Sequence, residues 1–228
     1  MTREDLQNSD ARKASELIMD AIVTQKLAPS QKVSENIFSD MFGISRTISR
    51  NLIERLIAKQ FLVSVSPRVT VVAPLTLLDI KQNFTLRKVL LPAIFSLTAA
   101  NVDFEKLKRI NKEIQDMQPV TNDDTALRLL KKNKELNLTF CENAGYPLMI
   151  DWALQLEDTA MRIYWLYLKT QKRFPYSSDQ QGMTIDVMKS DEPNRIKTVI
   201  HDILTQTEER ILNTIFSNDQ FYTLDLTL

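Results

Sequence analysis

Hydrophobic and polar positions change their rhythm partway along this chain. Residues 12–26, RKASELIMDAIVTQK, place Leu17, Ile18, Ala21 and Ile22 at helical spacing on one face. Turn chemistry follows in LAPSQKVSE, at Pro29 and Ser30. Ser34 then stands as an N-cap before the short helical stretch ENIFSDMF. Gly43 ends that stretch, as a residue free to take positive φ. Ser45 can cap a third helix, which runs to about Lys59. Residues 61–75, FLVSVSPRVTVVAPL, alternate and are rich in valine and threonine, with Ser66 and Pro67 in their middle. That pattern predicts two short strands joined by a turn. From Leu75 onward only helical spacing remains. It predicts helices near 77–100, 103–117, 123–144, 147–171 and 193–217, with a further short one near 181–190. The turn signals NVD, QPVTND, NAGYP and RFPYSSDQQG separate them.

Strand patterning gives way to helix patterning at VVAPLT, which predicts a first domain over 1–75 and a second over 76–228. The class expected is mainly α: an N-terminal winged helix-turn-helix plus a C-terminal all-α helical bundle. In a winged helix-turn-helix the recognition helix enters the major groove with its first residues on base edges. Arg46, Thr47, Ser49 and Arg50 fall there. An arginine fork can take guanine O6 and N7 together or grip a phosphate, and hydroxyls with backbone amides at a helix start suit phosphates. Arg55 and Lys59, further along, read as a solvated face.

Gly43-Ile44-Ser45-Arg46-Thr47-Ile48-Ser49-Arg50 resembles the recognition-helix pattern Gly-Val-Ser-Arg-Thr-Pro-Val-Arg of GntR-family bacterial transcription regulators. LAPSQKVSENIFSDMFG resembles the family's stretch from the proline-glycine turn through the second helix. The resemblance covers residues 9–75. It implies a DNA-contacting set of Asn36, Ser45, Arg46, Thr47, Ser49, Arg50 and, on the wing, Arg68. Ile48 replaces the family proline. The wing tip reads Arg68-Val69 where the family has Arg-Gly.

The second half is similar to the FCD type of effector domain, found in FadR-like members. NFTLRKVLLPAIFSLTAA resembles its first helices, with Arg87 at the arginine of an Arg-x-x-Leu-Glu signature and Leu91 in place of the glutamate. ELNLTFCENAGYPLM resembles its Asp-x-x-x-His stretch. Many such domains hold a divalent metal through one Asp and three His. The corresponding positions here are Asn137 and Cys141, then Pro193 or Asn194, then Ile215 or Phe216, and the chain's one histidine, His201, lies too late in its helix to serve. The expectation is therefore no metal of the family kind and no cofactor, because an amide and a thiol do not close a transition-metal site. The pocket expected in its place is lined by Arg87, Asn137 and Cys141, with Arg87 pairing an organic anion. Tyr164, Trp165 and Arg162 are further wall candidates, with Trp165 favoured as core.

Composition narrows the alternatives. The chain has 228 residues, 43% of them hydrophobic, and a formal net charge of zero. Any signal for a nucleic-acid partner must therefore be local. One cysteine excludes an intramolecular disulfide. The polar start MTREDLQNSDARK is unlike a signal peptide, and KVLLPAIFSLTAANV is interrupted by Pro92 and too short to span a bilayer. A cytoplasmic location and no membrane partner are expected. The expected function is a DNA-binding transcription regulator, a homodimer on a pseudo-palindromic double-stranded operator, whose operator affinity a small-molecule effector modulates. The rivals are an effector-independent DNA-binding regulator and, against the absence of catalytic motifs, an enzyme fused to a DNA-binding module.

Overall fold

A computed structural model describes residues 3–142, 144–176, 178–190 and 192–217. The chain divides into two compact units, Met1–Leu75 and Thr76–Leu228.

The first unit runs α1 (Arg3–Val23), β1 (Lys32–Val33), α2 (Glu35–Phe42), α3 (Arg46–Ala58), β2 (Leu62–Ser66) and β3 (Val69–Val72). Its core gathers Ile18, Ile22, Leu27, Phe38, Leu52, Leu56, Phe61 and Val72. Of the helical face expected on α1, Ile18, Ala21 and Ile22 are buried, together with Ala14, and Leu17 is 53% exposed. Leu17 follows the periodicity but sits beyond the edge of the buried arc. The stretch around Lys32, expected only as turn, adds a two-residue strand. It pairs antiparallel with β3 (Lys32 opposite Val71, Val33 opposite Thr70), giving the order β1-β3-β2. The hairpin of β2 and β3 forms the wing, with a register shift between Ser64 and Ser66 and Ser66 paired to Val69.

The second unit is helical. It contains α4 (Leu77–Thr98), a 3-10 turn (Ala99–Asn101), α5 (Phe104–Asp116), α6 (Asp123–Cys141), α7 (Pro147–Gln171), α8 (Ser178–Lys189) and α9 (Pro193–Phe216). A reciprocal cap starts α4: the Asp79 N–H donates to Thr76 Oγ1 at 3.1 Å and the Thr76 N–H to Asp79 Oδ2 at 2.8 Å. The helix continues through Pro92. An interior proline costs about 3 kcal/mol. Burial of Leu91, Ile94 and Phe95 around it offsets that cost, because α4 is the central helix against which α6, α7 and α9 pack. Helix α8 begins at Ser178, inside RFPYSSDQQG, which was expected as turn; it packs against α9 and α5. Among the described residues no helix is long and apolar enough to cross a membrane.

Candidate functional site

The turn between α2 and α3 is built from local hydrogen bonds. Ser34 Oγ accepts from the Ile37 N–H at 3.3 Å and starts α2. Gly43 stops it at φ +65, with its N–H donating to the Ser39 carbonyl at 3.0 Å. A side chain there would meet the left-handed backbone penalty that glycine avoids. The Ser39 hydroxyl donates to the Ile44 carbonyl at 2.6 Å and closes the turn. Ser45 Oγ then accepts from the Ile48 N–H at 3.3 Å and starts α3. Phe38 on α2 and Leu52 and Leu56 on α3 are buried, so the opposite face of α3 is turned outward.

Ser45, Arg46, Thr47 and Arg50 are exposed along that outward face, as is Asn36 at the start of α2 and Arg68 on the wing. Ser49 requires a correction. It is fully buried, and its hydroxyl donates to the Ser45 carbonyl at 3.1 Å. Its register on α3 puts it on the core side with Leu52 and Leu56, out of reach of a surface ligand.

Arg50 is exposed but engaged. Its Nε donates to Glu35 Oε1 at 2.7 Å and one terminal nitrogen donates to Glu35 Oε2 at 3.3 Å. The hydrogen bond from Arg50 holds the Glu35 carboxyl below its usual range, and the nearby charges of Arg50 and Arg46 act the same way. The same contact raises Arg50. A groove opens here between the first residues of α2, the Arg50, Ile53 and Glu54 face of α3, and Pro67, Arg68 and Thr70 on the wing. The Arg68 N–H donates to Ser66 Oγ at 3.4 Å, which shapes the wing turn. Glu35 is the residue the sequence reading passed over. Its place beside Asn36 at the first turn of α2 was visible, but the cross-helix pairing was not.

In the helical unit the residues expected around a pocket form a buried polar chain. The Arg87 guanidinium lies 2.7 Å from Glu157 Oε1, with the two side chains 1% and 2% exposed. It also donates to the Tyr164 hydroxyl at 2.8 Å. Burial is the largest single influence and works against the Arg87 charge, but the Glu157 carboxylate together with Tyr164 and Tyr176 outweighs it and raises the arginine above its usual value. The Asn137 amide donates to Glu157 Oε2 at 2.9 Å. The Cys141 thiol donates to the Asn137 carbonyl at 3.4 Å. Burial, with the Glu157 charge, pushes that thiol up to about 12. It is therefore protonated at neutral pH and a poor nucleophile.

Two expectations are corrected here. Arg87 is not an open anion-pairing group, because Glu157 already neutralises it. With leucine at position 91, the acid that meets Arg87 comes from α7. The second correction concerns Cys141, which is buried but does not line the cavity. That cavity measures about 50 Å³ and is walled by Arg87, Leu91 and Phe95 of α4, Asn133, Leu136, Asn137 and Phe140 of α6, Tyr176 ahead of α8, Gln180, Gln181 and Thr184 of α8, and Ile200, Ile203 and Leu204 of α9. It holds roughly a third of the volume (about 150 Å³) that admits benzene to an engineered apolar cavity. Arg162, Tyr164 and Trp165 are all buried and stand outside its wall. Tyr176 donates to Asn133 Oδ1 at 2.8 Å. Asn133 and Gln181, like Glu157, escaped the sequence reading because no motif marks them.

Among the described residues no three His, Cys, Asp or Glu side chains converge as metal ligands. His201 is exposed on α9, with Nδ1 3.6 Å from Asp202 Oδ1. Pro193, Asn194, Ile215 and Phe216 offer no imidazole at the remaining family positions.

A winged helix-turn-helix joined to an all-helical unit is the architecture of GntR-type transcription regulators, and solved structures of such proteins share it. McbR/YncC of E. coli superposes with a TM-score of 0.75 at 13% identity, over 90% of this chain and 98% of that one. A protein from Rhodococcus sp. RHA1, described as a GntR transcriptional regulator, superposes with a TM-score of 0.71 at 16% identity, again over 90% and 98%. A GntR family member from Pseudomonas syringae pv. tomato str. DC3000 gives a TM-score of 0.51 at 17% identity, over 91% and 90%. At these identities the shared property is the fold. No protein-family model and no curated protein sequence matches the chain.

Proposed function

We propose that this chain is a DNA-binding transcription regulator, acting as a homodimer on a pseudo-palindromic operator and tuned by a small molecule in the helical unit. The observation that carries the reading is the exposed first turn of α3, where Arg46 and Thr47 stand at the helix N-terminus, one turn before Arg50, which lines a groove with Asn36 and the wing residue Arg68. Helix N-terminal residues in this register reach base edges, while the amides and hydroxyls around them hold phosphates. The neutral charge of the whole chain makes this local cluster, not bulk attraction, the source of affinity. Two-fold symmetry places two such helices about one helical turn of DNA apart, or a multiple of it.

The test is selection from a random duplex pool followed by fluorescence anisotropy at fixed salt. A specific site is expected to bind at roughly 10 nM or tighter, and Arg46→Ala to weaken it by about 10- to 100-fold. Failure to enrich any sequence removes the reading. Light scattering should give the mass of two chains; one chain's mass removes the homodimer.

A second reading is a regulator that binds DNA without an effector, and the small volume of the cavity favours it. Operator affinity that no ligand of the cavity alters would establish that reading in place of the first. An enzymatic reading through the Cys141 thiol is disfavoured, because that thiol is buried and protonated.

A further inference from the structure

We infer that the cavity among α4, α6, α8 and α9 selects a small neutral carbonyl compound with an apolar body and rejects the carboxylate of the same shape. The inference rests on reading the helical unit as the sensing half of a regulator and names the ligand class of that site. Three observations lead to it.

The first is charge. Among the described residues Arg87 is the one charged side chain on the cavity wall, and it is paired with Glu157 at 2.7 Å. Asn137 occupies the other oxygen of Glu157 at 2.9 Å. The cluster thus presents no net charge to the cavity. A carboxylate entering it would be a third buried charge without a counter-ion, and its lost hydration would go uncompensated.

The second is the direction of the unsatisfied hydrogen bonds. Gln181, 6% exposed, has an Nε2 with no partner, and Arg87, 1% exposed, has an Nε with none. Both side chains line the cavity, one from α8 and one from α4. Both atoms are donors. A buried donor left unmade is costly, so the group that satisfies them must bring acceptor lone pairs. A neutral carbonyl oxygen does this without adding charge.

The third is the remaining wall. Leu91, Phe95, Leu136, Phe140, Ile200 and Leu204 form the apolar part of the wall, and the polar residues between them, Asn133, Asn137, Tyr176, Gln180 and Thr184, make hydrogen bonds to other protein groups. The apolar part favours an apolar body over a polyol or a sugar acid. At about 50 Å³ the cavity takes a short body.

Three near-isosteric probes of four non-hydrogen atoms separate the possibilities: acetone, acetamide and acetate, which differ at the group beside the carbonyl. Saturation-transfer NMR titrations of the full chain at about pH 7.5, where acetate is ionised, should give the ketone and the amide dissociation constants at least about tenfold below that of acetate. Glu157→Gln removes the counter-charge, leaves Arg87 open to the cavity, and should reverse the order in favour of acetate. Gln181→Leu should weaken the ketone by at least about fivefold while circular dichroism stays unchanged. Acetate binding the wild type as tightly as the ketone overturns the inference. So does the absence of saturable binding by any of the three, or an order that Glu157→Gln leaves unchanged in a folded variant. Operator binding is measured on the same protein. Ligand selectivity without DNA binding removes the regulator reading and keeps the cavity assignment. DNA binding without selectivity removes the cavity assignment alone.

Discussion

Replacing Arg87 with methionine tests the buried pair most directly. Arg87 and Glu157 are 1% and 2% exposed, so the variant strands a carboxylate in the interior of the bundle. Removing one partner of such a pair costs about 3–5 kcal/mol, chiefly because the other charge loses both its hydration and its counter-ion. Two local features refine the value. Asn137 goes on donating to Glu157 Oε2, which moves the loss to the lower end. The Tyr164 hydroxyl loses the donor that Arg87 supplied, which adds about 1 kcal/mol. The expected loss is therefore about 3–4 kcal/mol. Urea unfolding followed by tryptophan fluorescence reads it, since both tryptophans, Trp152 and Trp165, lie in the helical unit and Trp165 is buried. With a slope of about 2 kcal/mol per molar urea, the midpoint of that unit should fall by about 1.5–2 M. The double variant Arg87→Met/Glu157→Met removes both charges and should recover most of the loss, because a buried pair and an apolar replacement of similar volume are often close in stability. A single variant that shifts the midpoint by less than about 0.5 M, or a double variant no more stable than the single, refutes this account of the core.

The other predictions concern the reading face and the thiol. Glu35→Gln should release Arg50 toward phosphate, strengthen non-specific DNA binding and steepen the salt dependence of affinity by up to about one unit of slope; an unchanged slope means Arg50 stays held by other contacts. Ser45→Ala should destabilise the first unit by about 1 kcal/mol through loss of its cap. Ser49→Ala should leave DNA affinity within about twofold, since its hydroxyl faces inward, and a large loss of affinity would reinstate it as a contact. Cys141 should resist a thiol reagent in the native chain at pH 8 and react fully in urea. Its thiol titrates at about 12 when folded, against 9.0 for an ordinary thiol, so the unfolded chain loses this proton first. Stability should be unaffected below pH 9 and fall as pH rises from there, by at most about 1.4 kcal/mol per unit; a thiol-dependent gain of stability over that range, measured against Cys141→Ser, contradicts the assignment.

Local features were legible before the tertiary structure. Ser34, Gly43 and Ser45 act on backbone groups within a few positions of themselves, so caps and turn follow from residue type and spacing. The same holds for the valine-rich hairpin and for α7, whose first residue is Pro147 as its turn signal implied. The two-residue strand β1 was not legible. It exists only because the chain returns beside β3, and two residues carry no period of their own.

Hence the sequence by itself determined the order of elements other than β1, the turn that presents Arg46 and Thr47, and the change from strand to helix patterning near Leu75. Each depends on interactions between near neighbours. The tertiary structure alone decided which helical faces point inward and which distant groups meet. It turned Ser49 toward the core one position before Arg50, and exposed Leu17 one position before Ile18. It brought Glu35 to Arg50 across two helices, and Glu157 to Arg87 across the bundle. A change of one position on a helix rotates a side chain by about 100°, which is enough to exchange solvent for core. Ion pairs between separate helices have no sequence spacing at all, so Arg87 read alone looks like an open cation and becomes half of a neutral pair only when α7 is packed against α4.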